Sequence, residues 1–286
     1  MKNYIKKKFF KKKFFTKYFR YITSPCRVLP NFIIIGAGRS GTTSFYNYLI
    51  EHPYIEPAVY KEVRFFWAYF NRGVNYYKKF FPTLFHKIYH KYVLRIGFLT
   101  FEMSPYYMYH PHAVKRIYSM LPNVKLIILL RNPIDRAFSQ YNGMVSSGYE
   151  KLTFEEAIKI EEKRLEGELE KIINNEFYYS FNHRQLSYLT SGIYINQIKK
   201  IREFFPKEQI LIINSEDFFY NPPKILKEVF KFLNIPDHRI REYKKYHSKT
   251  LNKKINVNTR NYLIDYFKPY NQQLYEYLGR VFDWDK

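Results

Sequence analysis

Two short stretches of this 286-residue chain carry residue types and spacings that could grip phosphate. The first is Gly36-Ala37-Gly38-Arg39-Ser40-Gly41-Thr42-Thr43. Closely spaced glycines let a backbone turn tightly and aim successive amide N–H groups at one anion, and a helix starting just after the turn adds partial positive charge. The Gly36-x4-Gly41 spacing matches the start of a Walker A loop, but Thr42-Thr43 stands where Lys-Ser/Thr is required. In a magnesium-dependent nucleotide site that lysine reaches the β- and γ-phosphates and the hydroxyl holds the metal. Here the one long cation of the loop is Arg39. The second stretch begins at Arg131, where an aspartate for magnesium would be expected after the apolar run Leu126–Leu130, and Ser139 follows eight residues later. An arginine offers a fork of donors and a serine a single one. With Arg131 ending a strand and Ser139 two turns into a helix, both can face one phosphate. Together the stretches describe a nucleotide held by amides and guanidinium groups, and no metal is expected. A glycine turn that merely joins strand to helix is the structural alternative.

The elements that must position these residues are legible as hydrophobic runs. Phe32-Ile33-Ile34-Ile35 reads as a buried parallel strand leading into the glycine turn. Thr42 to Glu51 reads as a helix that stops before His52-Pro53. Leu126–Leu130 is a second buried strand, after which Asn132 can cap a helix whose first residue is Pro133. Thr153-Phe154-Glu155-Glu156 has the capping-box pattern and opens a charged helix predicted to run to about Ile173. Ile210–Ile213 is a third strand, and Pro222–Leu233 and Thr259–Leu278 read as helices. Strands alternating with helices predict a three-layer α/β fold with a mainly parallel central sheet. Residues 30–286 form one domain on this reading, with 1–29 a basic, aromatic appendage broken at Ser24-Pro25 and closed at Leu29-Pro30.

Of the formal net charge of +23, nine units fall in residues 1–20, which hold eight lysines, Arg20 and no acid. A basic body favours anionic ligands through its summed field, and charge alone does not separate a phosphorylated nucleotide from nucleic acid. Residues 1–20 read either as a frayed basic tail or as a peripheral anchor, since cations interleaved with aromatics suit an anionic membrane surface. They lack the apolar core of a signal peptide, and no stretch reaches the ~20 apolar residues of a membrane span. Cys26 is the only cysteine, so neither an intramolecular disulfide nor a Cys-rich zinc site is available. A cytoplasmic location, with membrane association through the basic N-terminus, is the expectation.

These residues also carry a family resemblance. The loop at 36–43 resembles the 5′-phosphosulfate loop of sulfotransferases that use 3′-phosphoadenosine-5′-phosphosulfate (PAPS), and Arg131-Asn132-Pro133 with Ser139 resembles their 3′-phosphate motif. Lys61-Glu62-Val63-Arg64-Phe65-Phe66 is similar to the Lys-Glu-x-His-Phe-Phe stretch of the heparan sulfate sulfotransferase branch, and Glu102-Met103-Ser104-Pro105-Tyr106 to its Glu-Lys-Thr-Pro segment. Ser191-Gly192-Ile193-Tyr194 resembles a Gly-x-Tyr turn of that branch. The end, Gly279-Arg280-Val281-Phe282-Asp283-Trp284, is similar to its C-terminal Gly-Arg-x-Phe-Asp-Trp. At least five segments occur in order across residues 31–285. Arg39 departs from the family's loop lysine, Asn132 from its aspartate, Arg64 from its histidine and Met103 from a lysine, and the cysteine pair of the animal enzymes is missing.

The resemblance implies the P-loop NTPase-like sulfotransferase fold and transfer of a sulfonyl group from PAPS to an acceptor hydroxyl on a glycan, glycolipid or other molecule, leaving PAP. It implies Glu62 as the base that takes the hydroxyl proton, with Lys61 and Arg39 offsetting charge on the sulfonate and the departing 5′-phosphate. Gly38, Arg39, Ser40, Gly41, Thr42 and Thr43 would contact the 5′ side, Arg131 and Ser139 the 3′-phosphate, and Lys249 and Thr250 a basic loop over the nucleotide. Glu102 is the competing carboxylate, assigned a structural role at a strand end, and His110 and His112 read as surface histidines. The segments Phe66–Phe81 and Thr153–Ile173 are expected to border the acceptor cleft. Two rival classes stay open at this point: a magnesium-dependent nucleotide kinase or NTPase, and a non-enzymatic polyanion binder. Nucleic acid is disfavoured as a partner because it leaves the loop and the Arg131–Ser139 pairing without a purpose.

Overall fold

The computed structural model describes residues 18–244 and 254–284. Among them five strands, β1 (Phe32–Gly36), β2 (Ile55–Pro57), β3 (Leu99–Met103), β4 (Lys125–Leu130) and β5 (Ile210–Asn214), form one sheet in the order β2-β3-β1-β4-β5. Every pairing is parallel. The helices are α1 (Thr42–Leu49), α2 (Gly73–Lys78), α3 (Leu84–Tyr92), α4 (Ala113–Met120), α5 (Pro133–Ser146), α6 (Phe154–Lys159), α7 (Glu161–Leu165), α8 (Glu168–Asn174), α9 (Tyr194–Arg202), α10 (Ser215–Tyr220), α11 (Pro222–Leu233) and α12 (Val257–Leu278).

Residues of β1 are buried without exception, because the strand runs through the middle of the sheet with helices on both faces. Successive side chains of a strand point to opposite faces, and the core divides accordingly. Ile33 and Ile35 join Leu126, Ile128 and Leu130 in a layer with Ile198 and Ile201 of α9 and Leu274 of α12. Phe32 and Ile34 join Ile127 and Leu129 in a second layer with Phe45 and Leu49 of α1 and Val229 and Phe230 of α11. The expected three-layer parallel α/β fold is therefore present. A third cluster packs Ile134, Ala137 and Tyr141 of α5 against Phe154, Tyr188, Leu263 and Phe267, which fixes the start of α5 relative to the sheet.

From β1 the chain moves to one side for β2 and β3, then crosses to the other for β4 and β5. Residues 37–41, at the carboxyl end of β1, therefore lie where the strand order reverses, the position at which open parallel sheets bind ligands.

Two elements differ from the sequence expectation. Strand β2, three residues ending in proline, was not foreseen, and of β3 only the strand end at Glu102 was. The charged helix expected from Thr153 to Ile173 is divided into α6, α7 and α8. Its capping box forms, with Thr153 Oγ1 accepting from the Glu156 amide and Glu156 accepting from the Thr153 amide. The helix then breaks because Glu161 turns into the protein, where it accepts from the Leu189 and Thr190 amides at 2.7 and 2.9 Å. A second break follows at Gly167, which has a φ of 70°.

Arg20 and Arg27 donate to the carbonyls of Lys79 and Phe81 beyond α2, and the Val28 amide donates to the Pro82 carbonyl. Among the described residues no helix is long and apolar enough to cross a membrane. The C-terminal segment is tied to the turn after β4 through Trp284, which is 2% exposed. Its indole donates to Glu216 at 3.1 Å and its carbonyl accepts from Asn132 at 3.2 Å, while Glu216 also accepts from the Asn132 amide at 3.0 Å. Trp284→Ala removes a buried aromatic and leaves Glu216 short of a donor. We expect a loss of about 3–5 kcal/mol, read as a lower urea midpoint with an unchanged slope; a midpoint equal to wild type would show that this segment does not support the β4 turn.

Candidate active site

Glycine is required at Gly41, which has a φ of 78° and where an added Cβ would lie 2.5 Å from the Phe219 ring. Gly41 opens α1 without a side-chain cap, so the helix N-terminus offers its amides and partial charge to an anion. A Cβ at Gly38 would meet nothing within 4 Å, so this side of the loop is open to a ligand. Ser40 is fully buried and its carbonyl accepts from Ser215 at 2.8 Å.

The two phosphate stretches meet. Arg39 reaches across to α5, where its Nε and Nη2 donate to the Ser139 carbonyl at 3.1 and 2.6 Å. Arg131 Nη1 donates in return to the Arg39 carbonyl at 3.1 Å, and the Arg131 carbonyl is held by the Tyr194 hydroxyl at 2.9 Å. Gly143, one turn beyond Ser139, leaves room for this arrangement: a Cβ there would lie 2.6 Å from Arg39 Nη2. Burial, and then the nearby Arg131 and Arg136, hold the Arg39 guanidinium below the usual arginine range. In this conformation Arg39 spans the loop and α5.

On the other side of the loop, Lys61 Nζ donates to Thr43 Oγ1 at 2.5 Å. Burial lowers the Lys61 ammonium's pKa, partly offset by Glu62. Glu62 itself lies 3.4 Å from Arg64 Nε and 3.9 Å from Arg184 Nη2, with its side chain 38% exposed. The loop, Lys61, Glu62, Arg131 and Ser139 are thus assembled from separate stretches of chain. Lys249 and Thr250 lie outside the described residues.

Behind Glu62 stands Glu102, buried at the end of β3. It accepts from the Tyr77 hydroxyl at 2.6 Å, from Ser104 Oγ at 3.0 Å, and from the Tyr107 hydroxyl at 3.2 Å on both oxygens. Burial pushes its carboxyl up to about 7, against the pull of those hydrogen bonds. Ser104 Oγ in turn accepts from the Arg64 amide at 3.2 Å, and Arg64 has a φ of 61°. A carboxyl of β3 therefore supports the left-handed turn that follows Glu62.

Sequence reasoning missed Arg184 and the aromatic group around it. Arg184 lies over the Trp67 ring at 4.8 Å and the Tyr106 ring at 5.8 Å, and Tyr179 stacks loosely on Trp67 at 5.8 Å. Trp67 is one of two tryptophans in the chain, a signal that could have drawn attention to it; Arg184 sits in an unremarkable polar stretch. His110 is not a surface residue as expected: it is 4% exposed beside Trp67 and Tyr106, and burial drops it to about 3, so it stays neutral. His183, 2.9 Å from the Tyr106 hydroxyl, is pushed down to about 4 for the same reason.

Comparison with known proteins bears on this geometry. A family model described as the sulfotransferase domain matches residues 29–286. A membrane-associated sulfotransferase, kil1, of Dictyostelium discoideum is 30% identical over 90% of this chain and 66% of its own length. The human bifunctional heparan sulfate N-deacetylase/N-sulfotransferase 3 is 32% identical over 74% of this chain, which spans only 23% of that protein. A solved sulfotransferase from Alicyclobacillus acidocaldarius superposes with a TM-score of 0.69 at 26% identity, covering 91% of this chain and all (100%) of that one.

The buried Glu102 gives the stability a testable pH dependence. Its folded-state pKa of about 7 lies above the ordinary 4.5, so the folded protein binds the extra proton. That stabilisation is present in full below about 4.5 and is lost as the pH rises through about 7. Relative to Glu102→Gln, whose amide cannot ionise, the wild-type unfolding free energy should fall between these pH values and level off above them. Parallel denaturant titrations would check this, and a difference that stays flat across the window would show that Glu102 does not titrate there.

Proposed function

Because this chain belongs to the sulfotransferase domain family, we propose that it binds PAPS at the β1 loop and transfers the sulfonyl group to a hydroxyl of an acidic glycan or glycolipid, releasing PAP. The observation that carries this reading is the convergence of Arg131, Arg39 and Ser139 on one flank of the loop with Lys61, Thr43 and Glu62 on the other. A nucleotide with phosphates at both its 3′ and 5′ positions needs two cationic groups of this kind. Thr43 also supports it: in a magnesium nucleotide site that hydroxyl position holds the metal, whereas here Thr43 Oγ1 accepts from an ammonium.

In the proposed reaction the acceptor oxygen forms a bond to sulfur as the bond from sulfur to the 5′-phosphate oxygen breaks. Glu62 takes the acceptor's proton. The loop amides and Lys61 meet the charge that builds on the phosphate oxygen, in line with phosphoryl-type transfer, where positioning and charge stabilisation dominate. Arg131 reads the 3′-phosphate with Ser139, and Arg39 bridges the two phosphate sites through α5. Lys249 and Thr250 complete the nucleotide site.

The acceptor side is supported by the faces of Trp67, Tyr106 and Tyr179, which offer stacking surface for sugar rings, and by Arg64 and Arg184, which suit acidic substituents. Relatives that act on heparan sulfate by name agree with a glycan. On this reading residues 30–286 are the catalytic domain. Residues 1–29 are a basic appendage on this reading, with contact to an anionic membrane surface from the cytoplasmic side through residues 1–20, which hold nine cations and no acid.

Incubation with radiolabelled PAPS and a panel of glycans, lipids and phenols tests the class of acceptor, with label expected on an acidic polysaccharide or glycolipid. Uptake only by phenols, or by nothing, would overturn the assignment. Glu62→Gln should lower transfer by about 10²–10⁴-fold while PAP binding stays near wild type; retained turnover would remove Glu62 from the role of base. Arg131→Ala should weaken PAPS by roughly 10–100-fold, the worth of hydrogen bonds to a charged group, and leave the analogue without the 3′-phosphate nearly unaffected. Equal weakening of both ligands would show that Arg131 does not read that phosphate.

A further inference from the structure

Away from these residues, Glu56 on β2 and His86 and His90 on α3 bring a carboxylate and two imidazoles together. We propose that they bind one Zn²⁺ ion that fastens the edge strand β2 to α3.

The geometry starts from the helix. Residues four apart in an α-helix share one face, so His86 and His90 project side by side, and their rings lie 4.5 Å apart. Thr83 caps α3 by accepting from the His86 amide at 3.2 Å, which fixes the first turn and with it His86. Glu56 projects from the neighbouring strand. Its Oε1 lies 3.3 Å from His86 Nε2 and 3.7 Å from His90 Nε2, and one ligand atom from each of the three residues lies within 4.8 Å of the others. Tetrahedral zinc with bonds of about 2.0–2.2 Å to nitrogen and oxygen separates its ligand atoms by about 3.3–3.5 Å. The two carboxylate–imidazole spacings are within tenths of an ångström of that range, and the imidazole atoms lie within 4.8 Å of each other.

A second observation points the same way. His86 Nε2, one of the atoms facing Glu56, is buried without a hydrogen-bond partner, and His90 is 7% exposed. Buried polar atoms are almost always satisfied, and an exception calls for an ion or a water. One carboxylate oxygen faces two imidazoles and hydrogen-bonds neither. A cation shared at this point would meet the carboxylate oxygen and both imidazole nitrogens at once. Imidazole favours zinc over magnesium or calcium, and three protein ligands leave a fourth position for water. Glu56 is 36% exposed on its side chain, which gives the ion a route in. Phe98 packs edge-on against both rings, at 5.9 and 5.5 Å, and forms an apolar wall behind them. No residue of this group belongs to the proposed nucleotide or acceptor site, so the ion's role is to hold structure and the sulfonyl transfer does not pass through it.

The test uses the full chain without a histidine tag, treated with EDTA and dialysed. Titration calorimetry with Zn²⁺ should show one equivalent bound with a dissociation constant of about 1 µM or tighter, and a thermal melt should rise by several degrees with Zn²⁺ but not with Mg²⁺. His86→Gln and Glu56→Gln alter half-exposed side chains, and melts without metal confirm that both fold. Each should weaken Zn²⁺ binding at least tenfold and abolish the thermal shift. Absence of a one-equivalent isotherm, an equal shift with Mg²⁺, or binding unchanged in both variants would overturn the proposal.

Discussion

The site depends on a reciprocal clasp between the loop after β1 and the start of α5. Arg39 donates from the loop to the Ser139 carbonyl, and Arg131 donates back to the Arg39 carbonyl. Neither stretch could present a defined surface alone: the loop is a turn with Arg39 itself at a φ of 69°, and Arg131 is a long side chain at a strand end. Linked, each restricts the other. The clasp in turn rests on the third core cluster, which seats α5, and on Gly143, whose missing side chain lets the guanidinium lie against the helix. Burial of β1 on both faces supplies the fixed point from which the loop departs.

A second constraint acts from behind. Glu102 sits inside the sheet with no cation among its hydrogen-bond partners, held by two tyrosine hydroxyls and Ser104. A buried carboxyl of this kind is costly when charged, and its raised pKa expresses that cost. What it gains is a rigid chain of contacts from β3 through Ser104 to the Arg64 amide, so the segment bearing Lys61 and Glu62 turns where the fold requires. Catalytic geometry held by buried, fully bonded side chains is better defined than geometry left to a surface loop.

Much of this was legible in the sequence because it was written in hydrophobic runs and caps. The run Phe32–Ile35 and the run Leu126–Leu130 gave the central strands, and Asn132-Pro133 gave the start of α5, since each reflects local chemistry. Strand β2 was hidden because a three-residue edge strand has no period to detect, and of β3 only the end at Glu102 was legible because that glutamate breaks the apolar run. The division of the charged segment into α6, α7 and α8 was hidden too, because Glu161 is drawn inward by amides of residues 189 and 190, a tertiary pull that no local pattern records. Arg184 was missed for the same reason: its neighbours Glu62 and Trp67 come from one distant stretch and Tyr106 from another. The pairing of Glu56 with His86 and His90 shows half of this rule, since the i, i+4 histidines are visible in sequence and the carboxylate is not.

The arginine at position 39 follows from the same geometry. A lysine carries a single ammonium on a flexible stem, whereas a guanidinium presents several donors in one plane. Two of those donors, Nε and Nη2, converge on the Ser139 carbonyl, and the flat group lies against Gly143, where a tetrahedral ammonium would make one bond and leave the backbone gap unfilled. The arrangement gathers Arg39, Arg131 and Arg136 into mutual repulsion, part of what lowers the Arg39 pKa. Repulsion among fixed cations is relieved by an anion bound between them, which suits the phosphorylated ligand proposed for this site. Beside the loop, Lys61 is bonded to Thr43 at the mouth of α1. The arginine at position 39 thus ties the loop to α5.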